Sequence, residues 1–139
     1  MSDVVTGGCL CGAVRFEVAM PAKWCANCHC SICRRAHSAA FVTWASFDAG
    51  ALQFVAGEER IVRYASSADA RRSFCGTCGS PLTFESRRWA GEVHVARACL
   101  PDALPLRPRV HAFFSDRAPW LDLHDDLPRR GGPTGLEPL

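Results

Sequence analysis

Apolar and polar residues alternate one for one along much of this chain. In Ala13-Val14-Arg15-Phe16-Glu17-Val18, the residues Val14, Phe16 and Val18 share one face, and Arg15 and Glu17 the other. A period of two is that of a half-buried strand. The same reading predicts strands over 41–46, 52–56, 60–65, 71–74, 82–86, 92–98 and 110–114. Turn formers separate these runs: Asp48 with Gly50, Gly57, Ser66 with Ser67, Gly79 with Pro81, and Gly91. Short strands with regular turn punctuation predict a mainly β fold, a sandwich or folded sheet. One short helix is expected after Cys30, carrying Cys33 to Ala36. No internal repeat or long linker divides the chain, so residues 1–127 read as a single domain. From Pro128 onward Gly, Pro and Arg dominate, and 128–139 reads as a flexible tail.

Composition narrows the class. The chain has 139 residues, 48% of them hydrophobic, which suffices for a real core. A formal net charge of +2, with arginines scattered along the chain, argues against nucleic acid and anionic membranes as partners. The opening Met-Ser-Asp-Val-Val lacks the basic-then-apolar order of a secretory signal. No apolar run approaches the roughly 20 residues that span a bilayer. The expected location is the cytoplasm.

Cysteine changes the picture most. There are nine, an odd number, in a chain with no export signal, so tight spacing points to metal ligands rather than disulfides. One set pairs Cys9-Leu10-Cys11-Gly12 with Phe74-Cys75-Gly76-Thr77-Cys78-Gly79. Gly7, Gly8 and Gly12 around the first pair give the permissive backbone a metal knuckle needs. Four thiolates from distant segments would close a tetrahedral zinc shell and staple the first strand to the middle of the chain. The other set is Cys28-His29-Cys30-Ser31-Ile32-Cys33. Three sulfurs there would leave a fourth position for water or a substrate thiol. Cys25, three residues ahead, is the rival fourth ligand, and it would close that site and make it structural.

The neighbours of these cysteines read more plainly. His29 lies between two proposed ligands and points away from them, so it reads as a structural histidine, with a substrate-proton role as the alternative. Arg34 and Arg35 read as a solvated face; steadying thiolates or receiving a substrate carboxylate is their alternative. His37, His94, His111 and His124 carry no spacing signal. Cys99 continues the alternation of Val93 and Val95 and reads as a buried core thiol. Trp24, Trp44, Trp89 and Trp120 read as core or rim aromatics.

Three motifs carry a resemblance. Gly8-Cys9-Leu10-Cys11-Gly12-Ala13-Val14, Cys28-His29-Cys30-Ser31-Ile32-Cys33-Arg34-Arg35 and Phe74-Cys75-Gly76-Thr77-Cys78-Gly79-Ser80 occur in this order, with Trp44, His111 and Trp120 in support. Together they resemble the glutathione-dependent formaldehyde-activating enzyme family, related to centromere protein V, over roughly Thr6 to Pro128. The resemblance implies an Mss4-like fold of β-sheets stapled by a structural zinc on Cys9, Cys11, Cys75 and Cys78. It implies a second, catalytic zinc on Cys28, Cys30 and Cys33. The implied activity is that of a carbon–sulfur lyase making or cleaving S-hydroxymethylglutathione from glutathione and formaldehyde. The implied partner is a small thiol, glutathione first. A non-catalytic zinc-stabilised β binding module is the alternative; a redox sensor built on the second cluster is a third reading.

Overall fold

The computed structural model describes residues 3–139. They form two compact units interleaved in sequence. The first comprises the segment up to Lys23 together with Ala45–Pro105; the second comprises Trp24–Trp44 and Leu106–Leu139.

In the first unit, β1 (Val4–Gly8), β2 (Arg15–Ala19) and β5 (Leu52–Ala56) form an antiparallel sheet with β2 central. The alternation read from the sequence is the observed one: Val14, Phe16 and Val18 are fully buried, and Arg15 is exposed. The strand begins later than expected because Gly12 (φ +80°) and the Cys9–Val14 hydrogen bonds turn the chain first. β6 (Ile61–Ala65), β7 (Ala70–Cys75), β8 (Pro81–Ser86) and β9 (Glu92–Ala96) follow as an antiparallel run in the order β9-β8-β7-β6. The second half of β4 (Val42–Asp48) also belongs to this unit. Its core is Val14, Phe16, Val18, Phe47, Leu82, Val93 and Val95. Gly57 closes the turn after β5 at φ +74°, and any Cβ there would collide with the Ala13 carbonyl oxygen. Cys99 departs from expectation. It lies past β9, half-buried, and its S–H donates to the Pro81 carbonyl at 3.3 Å.

The second unit carries β3 (Trp24–Cys28), paired in parallel with β10 (His111–Ala112). Between β3 and β4 lies α1 (Ser31–His37). Cys30 is its N-cap: the sulfur accepts the Cys33 N–H at 3.3 Å. Ser38, at φ 52°, ends the helix with its N–H turned back to the carbonyls of Arg34 and Arg35. β10 is shorter than the expected 110–114 because Phe113 turns to φ 53°. The segment expected to be a flexible tail is hydrogen-bonded structure. β11 (Arg130–Gly131) pairs with β12 (Glu137–Pro138), and Pro128 and Gly135 accept backbone N–H groups from His111 and Phe113. No helix among the described residues is long and apolar enough to cross a membrane.

Candidate metal and thiol site

Two cysteine groups assemble, one in each unit. Cys9, Cys11, Cys75 and Cys78 bring their sulfurs within 4.8 Å of one another, as do Cys28, Cys30 and Cys33. None of the nine cysteines forms a disulfide.

The four-cysteine group is built by two matched turns. The first is fixed by Cys9 N–H to Val14 O (3.1 Å) and Gly12 N–H to Cys9 O (3.2 Å). The second is fixed by Cys75 N–H to Ser80 O (2.9 Å) and Gly79 N–H to Cys75 O (2.8 Å). A register shift between Ser73 and Phe74 lets β7 leave its ladder as the second turn begins. Backbone amides aim at the sulfurs: Val14 N–H donates to Cys9 Sγ at 3.3 Å, and Thr77 and Cys78 donate to Cys75 Sγ at 3.4 and 3.5 Å. Such bonds favour the thiolate. The Ser80 hydroxyl at 3.2 Å, and then its backbone, lower the Cys78 pKa to about 5. A tetrahedral ion with Zn–S bonds of ~2.3 Å requires sulfurs ~3.8 Å apart. The measured edges, Cys9–Cys11 at 3.6 Å and Cys11–Cys75 at 3.9 Å, match that requirement. This donor set fits a structural metal ion.

In the second group, Cys28 ends β3, Cys30 caps α1 and Cys33 lies in the helix's first turn. Cys33 is buried; Cys28 and Cys30 are half-buried. Cys25 is buried on β3 and is not part of the group. Among the described residues, the group therefore offers three sulfurs and no fourth ligand. Crowding by the thiols of Cys30 and Cys33 pushes the Cys28 thiol up, because sulfurs packed this closely resist shared negative charge. A bound cation relieves that repulsion, and the soft thiolate donor set suits zinc.

His29 has a setting the sequence did not reveal. Its ring is fully buried and lies among Phe41, Phe114 and His111, with centroids 4.9, 5.0 and 4.9 Å away. His29 Nε2 lies 2.8 Å from His111 Nδ1, and His111 Nε2 lies 2.9 Å from Asp125 Oδ2. An ionised Asp125 accepts the proton of His111 Nε2, so His111 Nδ1 accepts from His29 Nε2–H. His29 Nδ1 is then a bare acceptor, and it has no hydrogen-bond partner among the described residues. Burial first, and then the influence of His111, Arg117 and Arg34, lowers the His29 pKa to about 4, so the ring is neutral at pH 7. The hydrogen bond from His111 holds Asp125 below the usual carboxylate range. His111 and Asp125 come from remote segments, and no local spacing marks them.

Arg34 ties the cysteine loop down. Its Nε donates to His29 O at 3.4 Å and its Nη2 to Asp116 O at 3.1 Å. A cleft of about 440 Å³ opens beside it, lined by Arg34, Arg35, Ser38, Ala39, Ala40 and Trp120. Trp120, expected in core or rim, is 70% exposed there. Of the remaining histidines, His94 lies 3.0 Å from Glu92, and His124 3.3 Å from Asp122; neither joins a cysteine group.

The family described as Glutathione-dependent formaldehyde-activating enzyme matches residues 4–116. A Halomonas elongata protein, provisionally named as such an enzyme, is 34% identical over 128 residues, covering 86% of this chain and 81% of that protein. An uncharacterised lyase of Schizosaccharomyces pombe is 35% identical over 78 residues, covering 56% of this chain and 55% of that protein. A crystal structure of a Rhodobacter sphaeroides protein superposes with a TM-score of 0.61 at 30% identity, covering 72% of this chain and 91% of that one. The mainly β fold expected from the sequence is thus shared with a solved structure.

Proposed function

Because the chain belongs to the glutathione-dependent formaldehyde-activating enzyme family, we propose that it is a zinc-dependent carbon–sulfur lyase making and cleaving S-hydroxymethylglutathione. One observation carries the reading: Cys28, Cys30 and Cys33 converge without a fourth ligand among the described residues. The four-cysteine group would hold a second zinc whose role is structural, because its own sulfurs fill the shell. The binding-module alternative gains nothing from a three-sulfur group, since a purely structural ion is better served by four.

Zinc at the three-cysteine group would supply one open position and hold an external thiol as thiolate near neutral pH. The chain's residues do the rest. Arg34 and the Cys30 cap fix the loop that carries the sulfurs. The Asp125–His111–His29 chain orients the His29 ring, which burial first and then His111 keep neutral. Arg34 and Arg117 bring positive charge close enough to His29 to disfavour its protonation. In the cleavage direction the carbon–sulfur bond breaks, the hydroxyl proton leaves, formaldehyde departs and sulfur keeps the electron pair. The reverse direction gains from holding thiolate and aldehyde together. Thiol chemistry of this kind suits a reducing compartment such as the cytoplasm.

The test is the rate of exchange between glutathione, formaldehyde and their adduct, measured over the uncatalysed background. Wild type should accelerate exchange in both directions, and Cys30→Ser should not while keeping the fold. No acceleration by wild type with glutathione removes the proposal.

A further inference from the structure

We propose that the three-cysteine group is also a binding site for trivalent arsenic, taken up as arsenous acid and held by Cys28, Cys30 and Cys33 together. Trivalent arsenic is three-coordinate and pyramidal. Its lone pair occupies the direction in which a zinc ion would carry a fourth ligand. A site for it needs three converging sulfurs and nothing else. Only the placement of these sulfurs is required, so the site stands or falls independently of the lyase reading.

The donor set fits first. The three sulfurs lie within 4.8 Å of one another, and no histidine, aspartate, glutamate or further cysteine among the described residues joins them. A purely soft set selects thiophilic elements over those that prefer nitrogen or oxygen. The protein also holds the group in shape. His29, between the first two cysteines, gives its N–H to Ala112 O at 2.9 Å, and its carbonyl accepts Arg34 Nε at 3.4 Å. The Cys30 carbonyl accepts the Arg34 N–H at 3.0 Å, and the Cys30 sulfur accepts the Cys33 N–H at 3.3 Å. Sulfurs preset in this way spare much of the ordering cost of closing three bonds on one atom. Burial points the same way. Cys33 is buried, and Cys28 and Cys30 are half-buried. Arsenic on three thiolates carries no net charge, whereas zinc on three thiolates carries one negative charge, which is the costlier of the two to bury.

The four-cysteine group provides the contrast. Its fourth sulfur completes a tetrahedral shell, and trivalent arsenic would leave one of the four unused. Cys25 and Cys99 stand outside both groups.

The uptake step is a condensation without oxidant or reductant. Three As–O bonds and three S–H bonds break, three As–S bonds form, and three waters leave. Arsenic stays trivalent throughout. Where zinc is displaced, it departs as the divalent ion, and solvent supplies the three protons.

The test is titration of the zinc-loaded protein with sodium arsenite. Zinc released and arsenic retained per chain are measured, and X-ray absorption at the arsenic edge counts its neighbours. One arsenic should enter and one zinc should leave, with three sulfurs and no oxygen around arsenic. Circular dichroism should show a folded protein, because the four-cysteine group keeps its ion. Cys28→Ser and Cys30→Ser should each weaken arsenite binding at least about a hundredfold, and Cys25→Ala should leave it unchanged. The arsenic neighbours in wild type decide the matter even if a serine variant fails to fold. No arsenic retained, an oxygen among its neighbours, or loss of both zinc ions together with the fold would each overturn the site. Undiminished binding by folded Cys28→Ser protein would do the same. Exchange of glutathione and formaldehyde without arsenite binding sinks this site alone, and arsenite binding without exchange sinks the lyase reading alone.

Discussion

Replacing Cys75 by serine removes one sulfur from the four-cysteine group and tests whether that group staples the first unit. The staple joins residues 64 apart, Cys11 and Cys75. Chain-entropy arithmetic for cross-linking a loop of that length gives about 4 kcal/mol of stabilisation. Most of that should be lost in the variant. For a chain of this size, such a loss lowers the melting temperature by roughly 10–20 °C. Serine would also leave the amides of Thr77 and Cys78, which now point at Cys75 Sγ, without a matched acceptor in a fully buried place. The assay is thermal unfolding followed by circular dichroism, with zinc per chain determined on the same samples. Wild type should carry two zinc ions and the variant one. A Cys75→Ser protein that melts within about 2 °C of wild type, or keeps its full zinc content, refutes the staple.

Three further outcomes follow from the geometry. Cys25→Ala should leave zinc at the second group unchanged, because Cys25 lies outside it; a lost equivalent of zinc would make Cys25 a ligand. Asp125→Asn should change the acid limb of stability. The Asp125 carboxyl is depressed by His111 first, then by the Leu127 N–H and the Arg129 charge. Its stabilisation is therefore present above the unfolded carboxylate pKa of about 3.9 and is lost as pH falls through the lower folded value. The melting-temperature gap between wild type and variant should close in acid; a gap that stays constant to pH ~2 contradicts the chain of histidines. Gly57→Ala should cost at least about 2 kcal/mol in denaturant titration, since it combines a left-handed φ with a collision on the Ala13 carbonyl; a neutral substitution would mean that turn yields easily.

What the sequence revealed, and what it hid, divides along physical lines. β2 was legible because one of its faces is buried and the other is not, which writes a period of two into Val14, Phe16 and Val18. β3 was missed for the opposite reason: Cys25, Ala26 and Asn27 are buried in succession, so no alternation appears. β1 was missed because Gly7 and Gly8 carry no side chain to pattern. The cysteine groups were legible because knuckle spacing is local, two ligands per turn. The Asp125–His111–His29 chain was not, because its members are 14 and 82 residues apart and only folding brings them together. The arginine cleft was half legible. Adjacent arginines were visible, but the exposed Trp120 across from them was not. The tail misled because its Gly and Pro residues, typical of loose ends, here make the turn between β11 and β12; Gly132 and Gly135 adopt positive φ in it.

The claim on which the account turns is that the three-cysteine group accepts an outside thiol as its fourth ligand. X-ray absorption at the zinc edge counts sulfurs directly. With both groups loaded, a four-sulfur and a three-sulfur site average about 3.5 sulfurs per zinc, and saturating glutathione should raise the average to about 4 at ~2.3 Å. An average of about 4 before glutathione is added, or one that glutathione leaves unchanged, contradicts the claim.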